Sequence, residues 1–344
     1  MGEFVTSADQ YRAAGVDLEA AEAAKRRIAA LVASTQTPLS RGADGGFGGM
    51  VRVPPDVDRP VLVMSTDGVG TKVLVAIRAG RHETVGEDLV NHCVNDILVL
   101  GARPVAFLDY VAHANTDADT LAAIVGGVAR GCRTHGMALV GGETAQLPDL
   151  YHPGHYDLAG TIVGVVADDH ALGAHRVRPG DRLLGYAASG LHTNGYTLAR
   201  RILFDRAGLD VRDAFPGTNA SVADVLLAVH RSYWFAISPA LPFLHALAHI
   251  TGGGIPGNLV RSLPAGCGAG VRRGAWPIPA VFRVLQDHGG VTDDEMVRVF
   301  NMGIGMIAIV PPDRVAEVRE SARQAAVETW DIGEVVEGEG VELS

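Results

Sequence analysis

Cysteine is scarce in this chain. Cys93, Cys132 and Cys267 are odd in number and scattered without a C-x-x-C pair. That excludes a disulfide framework and a cysteine-built zinc site, and it points to small buried side chains in a reducing compartment. No run of eighteen apolar residues occurs, and the stretch holding Glu3 and Asp9 lacks an apolar signal core, so the reading is a soluble, cytoplasmic protein with no membrane partner. Blocks of five or more basic residues are also missing. With 29 basic and 39 acidic residues the net charge is −10, which argues against nucleic acid as a partner. Glycine is abundant, at 43 residues, but shows neither collagen period nor low complexity. Its clusters fit neither the Walker spacing nor G-x-G-x-x-G.

What is present is a chain of 344 residues, longer than one hydrophobic core usually organises. Two α/β domains are expected, divided at the polar, proline-containing stretch Asp168 to Asp181, so that residues 1–168 form one and 169–344 the other.

The most informative stretch is Pro60 to Lys72. Val61, Leu62, Val63 and Met64 read as a buried strand, followed without a spacer by Ser65, Thr66, Asp67, Gly68, Val69, Gly70, Thr71 and Lys72. Glycine backbone can approach an anion closely, a lysine neutralises phosphate, and a carboxylate suits Mg²⁺, which prefers hard oxygen ligands shared with phosphates. The alternative is a tight turn with a solvated lysine.

Further along, Leu18 to Thr35 has helical composition, and the loop from Gly42 to Gly49, with Asp44, Gly45, Gly46, Phe47 and Gly48 at its centre, reads as a lid or a connector. Val85 to Leu100 shows helical spacing that puts Asp88, Asn91 and Asn95 on one face and Asp96 beside it. Ala138 to Val140 reads as a strand that exits into Gly141, Gly142, Glu143 and Thr144. Asp67, Asp96 and Glu143 thus sit in matching contexts, the arrangement for Mg²⁺ between phosphates. In the second half, Ser189, Gly190, His192, Thr193 and Asn194 form a turn ahead of a helix from Thr197 to Ala207, a geometry suited to anions, with His192 a candidate proton carrier. Trp234 to Leu247 reads as a helix, and Thr251, Gly252, Gly253 and Gly254 form a second glycine corner.

Taken together, TDGVGTK (66–72), CVNDILVLGARP (93–104), FLDY (107–110), GGETAQLPDLY (141–151), SGLHTNGY (189–196), HITGGGIPGNL (249–259) and FNMGIGM (300–306) resemble phosphoribosylformylglycinamidine cyclo-ligase, the aminoimidazole ribonucleotide synthetase family, in order over essentially the whole chain. The resemblance implies a two-domain α/β (α+β) fold whose N-terminal domain gives strands to a β-barrel across a homodimer. It implies a ligase that closes formylglycinamidine ribonucleotide to aminoimidazole ribonucleotide with ATP and Mg²⁺. On it, Asp67, Asp96 and Glu143 hold Mg²⁺, with Asp109 as a further candidate. Thr66, Gly68, Gly70, Thr71, Lys72, Asn95, Gly141, Gly142 and Thr144 meet ATP, and 44–48 close over it. Ser189, Gly190, His192, Thr193, Asn194 and Thr251 to Gly254 meet the substrate, with His192, Lys72 and Asn194 in catalysis. Two departures from the family pattern stand out. Gln146 occupies a position where the family commonly has Glu, and Leu147-Pro148-Asp149 replaces Met-Pro-Gly. A thiamine-monophosphate kinase of the same fold is the alternative, and a nucleotide-binding scaffold without catalysis is the reading from another class.

Overall fold

The computed structural model describes residues 18–41 and 48–344. The expected lid residues Asp44, Gly45, Gly46 and Phe47 lie outside the described residues. Gly48, at their edge, is exposed.

Strands β1 (Ser40–Arg41) and β2 (Met50–Val51) pair antiparallel. The first half is built on a four-stranded sheet in the order β3 (Pro60–Gly68), β6 (Tyr156–Ala167), β4 (Arg103–His113), β5 (Ala138–Gln146). Only β4 and β5 run parallel. The second half carries a six-stranded sheet in the order β12 (Val341–Leu343), β9 (Cys267–Val271), β11 (Thr329–Glu337), β7 (Arg182–Ala187), β10 (Ile304–Val310), β8 (Ala246–His249). β10 is buried throughout, as a central strand covered on both faces should be.

Alternation decides the faces of the first sheet. Val63 is buried while its neighbours Leu62 and Met64 stand exposed, and Phe107 and Val111 are buried while Leu108 and Tyr110 are exposed. The buried face receives the helix Glu83–Leu98, which packs on β3, β4 and β6. Beside it on the same face, over β5 and β4, lies the helix Ala118–Thr134, N-capped by Asp117 accepting the Thr120 N–H. The two helices touch backbone to backbone: a Cβ on Gly86 would stand 2.1 Å from the Ile124 carbonyl oxygen, and one on Gly127 would stand 2.1 Å from that of Glu83. The other face is uncovered, with Leu62, Met64, Leu108 and Tyr110 on one side of the sheet.

The two halves share a core. One apolar cluster runs from Val63, Leu89 and Phe107 to Leu191, Tyr196 and Phe300.

Several expected boundaries move. The glycines of 141–142 and the acid at Asp67 lie inside β5 and β3, not in turns after them. Trp234 to Leu247 is not one helix: it is helical over Trp234–Ile237, a 3-10 segment over Ser238–Phe243 carrying Pro239 and Pro242, and then β8. Proline lacks the N–H that a helix interior needs. The expected helix from Thr197 to Ala207 is α-helical over Tyr196–Arg200 and a π-helix over Arg201–Arg206.

Candidate active site

One helix carries most of the site. Along Glu83–Leu98, the spacing of Asp88, Asn91, His92, Asn95 and Asp96 splits them into an inner layer that ties the halves together and an outer layer that faces a cleft.

In the inner layer Asp88 forms an ion pair with Lys72 at 2.8 Å, both side chains 0% exposed. Lys72 also donates to the carbonyl oxygens of Ala228 at 2.8 Å and His192 at 3.2 Å, which uses its three donors. Burial drives the Lys72 pKa below its ordinary value although Asp88 opposes it, and burial raises Asp88 although Lys72 opposes that. Asp88 further accepts the backbone N–H of His230, and Asn91 donates to the His230 carbonyl. Asn95 accepts the Tyr233 N–H and donates to the Arg231 carbonyl and to His230 Nε2. Asp88, Asn91 and Asn95 sit on this one helix and grip the 230–233 segment of the other half, while Lys72 reaches that half from the 3-10 turn Gly70–Lys72.

The outer layer lines a cleft of about 490 Å³ with Ser65, Asp67, His92, Asp96, His249, Thr251, Asn258 and Arg261 on its walls. His92 Nε2 lies 2.9 Å from Asp67 Oδ2 and 3.7 Å from Asp96 Oδ2. His249 Nδ1 lies 2.8 Å from Asp96 Oδ1, and Ser65 Oγ donates to Asp96 Oδ2 at 3.0 Å. Burial pushes the Asp67 and Asp96 carboxyls up, yet their imidazole partners outweigh it and hold both below the ordinary carboxylate value. Burial works against a charge on His92, but the two acids beside it raise its pKa. His249 stays below its ordinary value because burial outweighs the Asp96 contact. The cleft wall is therefore two ionised carboxylates bracketed by two imidazoles.

Behind the cleft, His92 Nδ1 meets Thr193 Oγ1 at 2.8 Å, Thr193 Oγ1 meets His230 Nδ1 at 3.3 Å, and His230 Nε2 meets His249 Nε2 at 3.3 Å.

The placement of the expected residues corrects several assignments. Lys72 is not a phosphate contact, because all its donors are taken inside the core. His192 is 1% exposed and stacks on His230 at 4.0 Å, with Nε2 accepting the Ser189 N–H, and it is not on the cleft wall. Burial, first of all, depresses its pKa well below the usual value. Glu143 does not join Asp67 and Asp96 within one chain. Asp67, Gly160, Asp109 and Gly142 form one row across the first sheet, while Glu143 falls in the next row with Tyr110, on the opposite face. Three interstrand spacings, about 14 Å, also separate β5 from β3. Asp109 has its carboxyl over Gly142, where a Cβ would stand 2.0 Å from Asp109 Oδ1, and burial lifts its pKa to about 6.

Asn95 is fully buried and Gly68 and Gly70 lie near the end of β3. Thr66 meets Thr161 at 2.7 Å on the uncovered face and Thr71 meets Thr197 at 3.0 Å across the halves. Thr193 is an inner link, and Asn194 reaches to within 3.4 Å of where a Gly252 Cβ would be. Of the second glycine corner, Thr251 lines the cleft, Gly252 and Gly253 are exposed, and Gly254 is packed against the Val297 backbone.

His92, His230 and His249 escaped the reading of the sequence as site residues. A signal existed for one of them: His92 precedes Asp96 by four residues on a helix, so the two share a face. Nothing local marks His230.

The two halves, the shared helix and an acid-lined cleft define a class. Residues 48–166 match the model of the AIR synthase related protein N-terminal domain, and residues 178–344 match that of the C-terminal domain. The chain belongs to the AIR synthase related family. Within it, the chain is 46% identical over 330 residues, 95% of each chain, to a phosphoribosylformylglycinamidine cyclo-ligase of Sorangium cellulosum. It is 45% identical over 339 residues to the protein of that name in Xanthomonas oryzae pv. oryzae, covering 96% of this chain and 98% of that one. Among solved structures, thiamine-monophosphate kinase from Stenotrophomonas maltophilia superposes with a TM-score of 0.67 at 20% identity, covering 94% of this chain and 96% of that one. Hydrogenase maturation protein HypE in complex with ATP superposes at 0.61 and 21% identity, covering 91% and 86%. These two likenesses show the fold. No helix among the described residues is long and apolar enough to cross a membrane.

Proposed function

We infer that this chain is a ligase that closes 2-formamido-N1-(5-phosphoribosyl)acetamidine to 5-aminoimidazole ribonucleotide, with ATP converted to ADP and phosphate, in purine biosynthesis. The observation that carries the reading is identity of 45–46% along about 95% of the chain to proteins named phosphoribosylformylglycinamidine cyclo-ligase.

The chemistry suits the cleft. A formamide oxygen is a poor leaving group until it is phosphorylated, and phosphoryl transfer asks chiefly for positioning and charge neutralisation. Asp67 and Asp96 offer hard, ionised oxygens that fit Mg²⁺ and would hold it, and the ion would supply charge neutralisation to the transferred phosphoryl group. Arg261, Asn258 and Thr251 on the same wall offer a cation, an amide and a hydroxyl to phosphate or ribose. His249, held below its ordinary pKa by burial, stands on the cleft wall with Nδ1 against Asp96. Lys72 and His192 act from behind, the first by tying the halves and the second by filling the core. We place the protein in the cytoplasm, where such a step draws on ATP.

The uncovered face of the first sheet supports a homodimer, with Leu62, Met64, Leu108 and Tyr110 of one copy meeting a second. Sedimentation equilibrium should give twice the chain mass for the native protein, and Met64→Lys should reduce it to the chain mass. A native monomer at micromolar concentration removes the dimer reading.

ADP release with the purified protein tests the activity. ADP and the imidazole product should form in equal amounts with the amidine nucleotide and neither should form with thiamine monophosphate. ADP formation with thiamine monophosphate alone would overturn the assignment in favour of a kinase.

A further inference from the structure

We propose that His92, Asp96 and His249, joined by Asp67, form a binding site for a borderline divalent metal of the Zn²⁺ class at the mouth of the cleft.

The donors are close. One ligand atom from each of His92, Asp96 and His249 lies within 4.8 Å of the others. Tetrahedral zinc with bonds of about 2.0–2.1 Å sets its ligand atoms about 3.3 Å apart. The separations of 2.8 Å for His249 to Asp96, 2.9 Å for His92 to Asp67 and 3.7 Å for His92 to Asp96 bracket that value. Two imidazoles with carboxylates are the donor set of zinc and its neighbours, whereas Mg²⁺ selects oxygen.

The hydrogen-bond network supplies an independent argument. Asn95 accepts the Tyr233 N–H through Oδ1, so its Nδ2 is the atom that donates to His230 Nε2. His230 therefore carries its proton on Nδ1, donated to Thr193 Oγ1. His249 Nε2 faces the same His230 lone pair at 3.3 Å, and two bare nitrogens would repel there, so the His249 proton belongs on Nε2. Neutral His249 then presents a bare Nδ1 to a carboxylate oxygen of Asp96 at 2.8 Å. A proton on Nδ1 or a metal ion relieves the opposition of these two acceptors. A metal ion satisfies both, and it takes His92 Nε2 and Asp67 as further ligands.

The outer partners of the ligands are those of a metal site. The second nitrogen of His92 is fixed by Thr193, that of His249 by His230, and Asp96 Oδ2 by Ser65. Asp67, His92, Asp96 and His249 all line the cleft, so an ion has a path in. Occupancy by zinc would withdraw Asp67 and Asp96 from any other ligand, which makes the ion a competitor of Mg²⁺ there. The binding itself does not depend on the ring-closing activity.

The test is a titration of the full chain, free of metal, with Co²⁺ followed by visible absorption and with Zn²⁺ followed by calorimetry. One ion per chain should bind, with the intense visible bands of low-coordinate Co²⁺, and a hundredfold excess of Mg²⁺ should not displace it. His249→Gln and His92→Gln should abolish the bands. Thr193→Val keeps every ligand and should weaken Zn²⁺ about 10–100-fold, which preserves the test if a ligand variant does not fold. Stoichiometry and affinity unchanged in Thr193→Val and in whichever ligand variant folds would overturn the proposal. So would ready displacement by Mg²⁺. A protein that binds Zn²⁺ as described yet releases no ADP would leave this site standing and remove only the activity.

Discussion

Replacing Lys72 with methionine is expected to lower folding stability by about 3–5 kcal/mol, read as a lower midpoint of urea unfolding. The size follows from burial. Both ends of the Lys72–Asp88 pair are 0% exposed, so removal of the ammonium leaves a carboxylate in the interior with the His230 N–H as its remaining hydrogen-bond partner. It also strips the Ala228 and His192 carbonyls of their donor. For this reason the double variant Lys72→Met/Asp88→Leu should recover part of the loss and not all of it. The pH dependence gives a second check. Asp88 is held above its ordinary value by burial, and the loss of Lys72 raises it further. A carboxyl raised on folding contributes stability at low pH and loses it as pH rises from the ordinary carboxylate value through the raised one. The deficit of Lys72→Met should accordingly be largest near neutrality and shrink on acidification. Equal midpoints for variant and native protein at pH 7 would show that the pair carries no net weight.

The second large effect falls on turnover. Asp67→Asn should reduce it by about 10²–10³, roughly 3–4 kcal/mol of transition-state stabilisation, while the fold is retained. Asp67 is 46% exposed and is held by one imidazole and its neighbour's backbone N–H, so little packing rests on it. What the substitution removes is an ionised oxygen on the cleft wall. Steady-state rates at limiting Mg²⁺ are the measurement, and near-native turnover there would refute the metal role. Asp96→Asn should be at least as severe, since Asp96 also orients His249.

Much of this was legible in the chain itself. The helix around 85–98 and the strand after Asp181 follow from patterns that tertiary packing then honours, whereas the apolar run Val61–Met64 is a strand as expected but not a buried one, because Val61, Leu62 and Met64 are exposed and only Val63 is buried. The glycines of 141–142 misled because glycine has two uses. At Gly142 the absent Cβ makes room for the Asp109 carboxyl inside a strand, whereas a local reading takes the pair for a turn. Lys72 misled for another reason: its partner Asp88 sits 16 residues on, in a separate helix, and nothing in the local composition announces that the two meet in the interior. His230 lies in the loop beyond the short helix Val222–Leu226, and its role exists only once Asn95, Thr193 and His249 surround it. Sites assembled from several elements are visible in a sequence only where one element contributes a pair, as His92 and Asp96 do.

The contact between Gly86 and Gly127 sets the seat of the helix that bears Asp88, His92, Asn95 and Asp96. With no side chain as a shim, the crossing fixes how close that helix stands to its neighbour on the sheet, and one methyl group at either glycine would push it aside and misalign all four functional groups as a body. Neither glycine is among the residues lining the cleft. Even so, variation at this crossing should register first as lost turnover, because misplacement of reacting groups by about 1 Å is enough to cost about a hundredfold in rate.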